Sequence, residues 1–154
     1  MTTTTTATRD EAQIRECIDA SAQALRAKDI DALMAHYAPD MVTFDLMPLQ
    51  LQGADAYRTN FERWFASVQG PIDYEIRDVR SAMRDDVAFS HYVARVRSTR
   101  TTGKKNDYWV RVTMGLQKMN GQWMVTHEHV SMPFNNMETL QAALSSSQSS
   151  ASSQ

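Results

Sequence analysis

The hydrophobic period of the chain changes once, near residue 70, dividing a helical first half from a stranded second half. In the first half Ile14, Ile18, Ser21 with Ala22, and Leu25 recur at three- and four-residue spacing, one apolar face of a helix. Thr8, three residues before Glu11, reads as a capping box at its start, with Asp10 and Glu11 at the positive end of the helix dipole. A short second helix is expected over "KDIDALMAHYAPD", carrying Ile30, Leu33, Met34 and Tyr37 and stopped by Pro39. "MVTFDLMP" reads as a short strand, Met41 to Leu46. Gly53 then opens a third helix whose Tyr57, Phe61, Trp64, Phe65 and Val68 form an aromatic stripe, with Gly70-Pro71 as its stop. Beyond that point the period is two. "IDYEIRDVRSAM", "VAFSHYVARVRS", "DYWVRVTMGLQKM" and "QWMVTHEHVSM" are four long strands, and Asn120-Gly121 between the last two is a tight-hairpin signal.

Helices followed by an antiparallel meander predict an α+β domain with its helices on one face of the sheet. Strands this long must curl, so the expected architecture is a cone-shaped roll, a curved antiparallel sheet wrapped around the N-terminal helices with a central cavity. Phe89, Val93, Trp109 and Trp123 share one strand parity on the convex face. Apolar residues on both faces predict that this face is covered by a second copy, a homodimer. Residues 1–8 and the Ser-rich end are expected to be disordered, with a short helix opening the segment 135–154 and one domain between, over 9–134.

Composition narrows the function classes. The 154 residues carry a net charge of -2, and the basic residues are dispersed, which argues against a nucleic-acid footprint. The basic stretch "RTTGKK" reads as a solvated hairpin tip. One cysteine, Cys17, excludes an intramolecular disulfide and points to a reducing compartment. With no signal-peptide pattern and no apolar run long enough for a membrane span, the expectation is a cytoplasmic protein with no membrane partner.

"AKDIDALMAHYAPDMVTFD", the glycine ahead of the aromatic helix, and "NGQWMVTHEHVSMP" together resemble the nuclear transport factor 2-like superfamily, in its ketosteroid isomerase and SnoaL-like branch. The resemblance spans roughly Asp10 to Pro133. "GADAYRTNFERWFAS" and "DVAFSHYVAR" are also similar to the association domain of calcium/calmodulin-dependent kinases. The fold implied is the cone-shaped roll. The function implied is open, because this fold carries isomerases, cyclases, hydrolases and non-catalytic oligomerisation modules.

Asp45, in "VTFD", stands where the isomerase-like families carry a proton-abstracting carboxylate. At a strand end beneath an aromatic helix its pKa would be raised toward useful base strength; the competing reading is a solvent-facing or turn-capping aspartate. The same alignment puts Ser21 and Gly115 where ketosteroid isomerase has two strong hydrogen-bond donors, which argues against steroid isomerisation. Strand alternation sets His127 and His129 on one face with Trp123 and Val125, and Glu128 on the other with Met124, Thr126 and Val130. The two histidines permit a metal with His36 or His91 as third ligand, a pocket base, or a merely structural role at a subunit contact. The resemblance implies that Val130, and Glu128 with it, faces the pocket. Glu128 would then work with Asp45 as an acid–base pair; alternatively it is a surface glutamate paired with Arg95 or Arg111.

By the same resemblance Tyr57 and Phe65 stand where the kinase domain has ring-bearing pocket residues. Tyr92 is kept, and three pocket arginines are replaced by Ala94, Met114 and Val130. With that cationic floor gone, the implied ligand is a small apolar or aromatic molecule. Trp64 is either pocket wall or core. No cofactor is expected, since the chain has no phosphate-cradling glycine loop, and no metal is assigned. The reading is a small-molecule-binding protein using carboxylate acid–base chemistry as an isomerase, cyclase or hydratase; the alternative is a non-catalytic dimerisation or ligand-binding module.

Overall fold

The computed structural model describes residues 3–134. Helix α1, Thr3–Ala27, runs back through the threonine run, so Thr8 and Glu11 lie inside the helix and do not frame its start. Residues from Thr3 onward in the segment expected to be disordered are thus helical, while the short helix expected within 135–154 lies outside the described residues. The predicted apolar face holds: Ile14, Cys17, Ile18, Ala22 and Leu25 are buried. Lys28 at φ +55° ends the helix, and the Asp29 N–H reaches back to the Ala24 carbonyl at 2.9 Å. Arg26 and Lys28 then tie this end down by donating to the Tyr74 and Val68 carbonyls.

Helix α2 is only Ile30–Met34, capped by Asp29 accepting from the Ala32 N–H at 3.0 Å. Tyr37, expected on this helix, instead begins strand β1, Tyr37–Phe44, with Pro39 inside it. A break in register between Tyr37 and Val42, where β1 lies beside β6, accommodates a residue with no N–H to donate. A two-residue strand β2, Gln52–Gly53, pairs with β1 and leads into α3, Ala54–Ala66. The four long strands are β3, Val68–Arg84; β4, Val87–Arg100; β5, Lys105–Met119; and β6, Gln122–Ser131. Gly70-Pro71 does not stop the chain before β3. It forms a bulge in β3, with Gly70 at φ +69° and a register skip between Gln69 and Asp73. Asn120 and Gly121, at φ +51° and +80°, make the expected tight turn.

The strands form one curved, unclosed sheet in the order β2-β1-β6-β5-β4-β3. It is not wholly antiparallel: β1 runs parallel to β6, joined by the whole chain between them. Helix α1 packs on β3 and β6, and α3 on β1 and β3, so both lie over one face of the sheet. The convex side carries Phe89, exposed at 53%, with half-buried Val93 and Trp109. Trp123 does not belong there. It is buried, and its indole N–H donates to Asp10 of α1 at 3.2 Å, because β6 changes parity after it.

Candidate functional site

That change of parity sets the site. On β6 Val125 pairs with Leu116 and His127 pairs with Gly115, so Thr126 is an extra residue without a partner on β5. Side chains alternate on either side of this bulge but not across it. Trp123 and Val125 face the helices before it; Glu128 and Val130 face them after it, and His127 and His129 are turned to the convex side. Grouping Trp123 and Val125 with the histidines fails for this reason alone.

Glu128 is 3% exposed. Its sheet neighbours are Thr43 on β1 and Met114 on β5. From the interior, Tyr37 O–H donates to Oε2 at 2.9 Å and Tyr57 O–H donates to Oε1. The two tyrosine rings meet edge to face at 5.6 Å, and Phe61 packs on Tyr57 at 4.8 Å. Neither Arg95 nor Arg111 reaches this carboxyl: Arg95 pairs with Asp107 and Arg111 donates to Ser131.

Burial is the largest influence on Glu128 and penalises its charged form. The two donated hydrogen bonds oppose it, the charge of Asp45 reinforces it, and the carboxyl is pushed up to about 7. Asp45, just past the end of β1, is half-buried. Burial raises it too, offset by the Leu46 N–H donating to Oδ1 at 2.7 Å. Glu128, Tyr57 and Tyr108 all feel the Asp45 charge, so the two carboxyls belong to one electrostatic neighbourhood. Burial also holds Tyr37, Tyr57 and Tyr92 well above the usual phenol range, so these hydroxyls remain proton donors.

Of the other predicted site residues, Tyr57, Phe65, Tyr92 and Met114 are buried in the core, and Trp64 and Val130 are partly buried against it. Met114 and Tyr57 touch on Glu128 directly, by register and by hydrogen bond. Trp64 sits at 5.6 Å from Phe65 on the helix α3 stripe. His127 and His129 flank Phe44 at 6.2 and 5.8 Å, while His91 stacks on Phe89. His36 lies 3.6 Å from the Cys17 thiol on the inner side, lowered by burial as the thiol is pushed up to about 11. Both members are therefore neutral at pH 7. Among the described residues no three side chains of metal-binding type gather.

Two neighbours of Glu128 escape the sequence reading. Tyr37 is hidden by fitting the helical spacing of Ile30, Leu33 and Met34. Thr43 is hidden because nothing in its own segment says which strand lies beside it. The alternation Met41, Thr43, Asp45, extended back across Pro39, is the available signal for Tyr37.

A family model described as a SnoaL-like domain matches residues 14–135. Among solved structures, the chain is 33% identical to a nuclear transport factor 2-like protein of unknown function from Pseudomonas putida KT2440. That match covers 86% of this chain and 92% of the other, with a TM-score of 0.75. A protein resembling the calcium/calmodulin dependent protein kinase II association domain, from Xanthomonas campestris, shares 22% identity over 80% and 87% of the two chains, with a TM-score of 0.69. A scytalone dehydratase-like protein from Novosphingobium aromaticivorans shares 16% identity over 85% and 89%, with a TM-score of 0.77. No curated protein matches the chain.

Proposed function

The chain belongs to the SnoaL-like domain family, and from that premise we propose that it binds a small, mainly apolar or aromatic molecule beside Glu128 and moves a proton on it. The observation that supports this most is the burial of the Glu128 carboxyl beneath the donating hydroxyls of Tyr37 and Tyr57, an environment that pushes it up to about 7. A carboxyl with a pKa of about 7 exists at neutral pH as both acid and base, which is what proton transfer at that pH asks for. An unpaired surface glutamate would be almost wholly ionised.

Asp45 and Glu128 divide the labour by environment. Asp45, half-buried and bonded to a backbone N–H, is the more readily ionised and acts as base. Glu128, deeper and under the influence of the Asp45 charge, holds its proton longer and acts as acid. Asp45 would remove a proton from carbon next to a carbonyl. Glu128 would give its proton either to a departing hydroxyl, releasing water, or back to carbon, shifting a double bond. Tyr37 and Tyr57 orient the Glu128 carboxyl and stabilise the anion left when it has given its proton. The class of reaction is dehydration or isomerisation, in keeping with the dehydratase-like names among structures of the same fold.

Deuterium incorporation tests this without knowledge of the natural substrate. Incubated in D2O with a panel of cyclic and aryl ketones, the protein should speed exchange beside the carbonyl above the buffer rate, and Asp45→Asn should abolish the gain. Exchange at the buffer rate throughout would remove the enzymatic reading.

A second reading is a non-catalytic module, supported by the convex face, where Phe44 and Phe89 are exposed beside His127, His129 and His91. Burial of Phe65 and Tyr92 in the core also suits it. Pairing of two copies through this face is compatible with either reading, because the site faces the opposite way. Sedimentation at micromolar concentration should show a dimer; a monomer alone would remove this assembly.

A further inference from the structure

Thr43 is 0% exposed, and it is the β1 partner of Glu128 in the parallel β1–β6 register. In-register neighbours of a sheet project to the same face with Cβ atoms about 5 Å apart. The Thr43 side chain therefore stands on the helix-facing side next to the Glu128 carboxyl, one step of alternation from Asp45. Among the described residues its Oγ1 has no hydrogen-bond partner. Glu128 sits beside it without bonding to it: its oxygens accept from the hydroxyls of Tyr37 and Tyr57, and Thr43 Oγ1 remains unpaired. A buried hydroxyl with no partner loses its hydration and gains nothing in return, and valine would fill the same space without that loss.

Among the described residues the other buried side-chain atoms without a partner are Gln13 Oε1, Ser21 Oγ and Ser98 Oγ. Gln13 and Ser21 lie on helix α1, outside the sheet. Ser98 pairs with Asn106, and on β4 it lies roughly 25 Å, at about 3.3 Å per residue, from Ser90, which pairs with Met114 beside Glu128. Among the described strand residues Thr43 is the one that sets an unsatisfied hydroxyl in register with Glu128.

We propose that Thr43 Oγ1 is the contact that holds an oxygen atom of the ligand beside Glu128, and so selects an apolar or aromatic body bearing a carbonyl or hydroxyl over a plain hydrocarbon. The assignment rests on the reading that Glu128 and Asp45 border a ligand site. It adds a specificity-determining residue and restricts the ligand class.

Two probes of matched shape test it: 1-tetralone, which carries a carbonyl, and tetralin, which does not. Their dissociation constants are measured by ligand-observed NMR on the wild type, Thr43→Val, Thr43→Ser and, as a distant control, Ser98→Ala. The preference for the ketone should fall about 2- to 10-fold in Thr43→Val, the net worth of one neutral hydrogen bond, and persist in the other two variants. Thr43→Val should also melt no lower than the wild type; if it does not fold, Thr43→Ala takes its place. A preference unchanged without the hydroxyl would overturn the Thr43 assignment while leaving the ligand site standing. Failure of the wild type to bind either probe at millimolar concentration would overturn the ligand site, and the assignment with it.

Discussion

Glu128→Gln separates a proton-holding buried carboxyl from an ordinary buried polar group, through the pH dependence of stability. The free carboxyl has an ordinary value of 4.5, and the folded protein pushes it up to about 7. The folded state therefore holds the proton more tightly than the unfolded chain does. Its contribution is complete below about 4.5 and is lost as pH rises through about 7. At about 1.4 kcal/mol per pKa unit, that interval corresponds to about 3 kcal/mol. No discount for solvent screening applies, since the side chain is almost wholly buried. Glutamine keeps the shape and does not titrate. Urea unfolding of both proteins at several pH values gives the difference in stability at each. The wild type should lose about 3 kcal/mol relative to Glu128→Gln between pH 4.5 and 8. A constant offset between the two proteins is expected from the altered hydrogen bonds to Tyr37 and Tyr57 and carries no weight. A difference that stays flat across that window would mean that Glu128 titrates alike in the folded and unfolded states and holds no extra proton.

Tyr57→Phe removes one donor to the Glu128 anion, so the carboxyl should move above about 7, and the alkaline limb of any exchange activity should move up with it. An unmoved limb in a pH–rate profile would detach Glu128 from that activity. Phe89→Glu sets a charge on the exposed convex face and should convert a sedimenting dimer to monomer without altering the melting of the monomer. Gly121→Ala forces an L side chain to φ +80° and should cost about 1–2 kcal/mol in urea unfolding. Asp10→Ala leaves the Lys118 ammonium and the Trp123 indole N–H without their acceptor, 2.7 and 3.2 Å away in the folded protein, so the melting temperature should fall.

The elements with strong periodicity were legible in the chain: α3 with its aromatic stripe, the four long strands, and the Asn120-Gly121 turn. What misled was punctuation. Pro39 and Gly70-Pro71 carry the composition of stops, yet both lie in strands where a skipped register relieves them of donating to a ladder. Such skips depend on the partner strand, which local sequence does not name. The same limit applies at Thr126. Perfect alternation from Trp123 to Val130 allows only one parity, and a single inserted residue lets Trp123, Val125 and Glu128 all face inward. The inward position of Glu128 was reachable from the family resemblance, but its tyrosine partners were not. Tyr37 and Tyr57 come from a strand and a helix that meet only in the folded chain. The parallel pairing that brings Thr43 beside Glu128 joins the first and last strands of the domain, the longest reach in the sheet.

A carboxyl-carbon NMR titration of the folded protein, with the Glu128 resonance assigned by its absence in Glu128→Gln, reads the protonation of this side chain directly. A midpoint near 7 is the predicted result. A midpoint in the ordinary glutamate range, about 4 to 5, would show a side chain ionised at neutral pH and unable to serve as the acid.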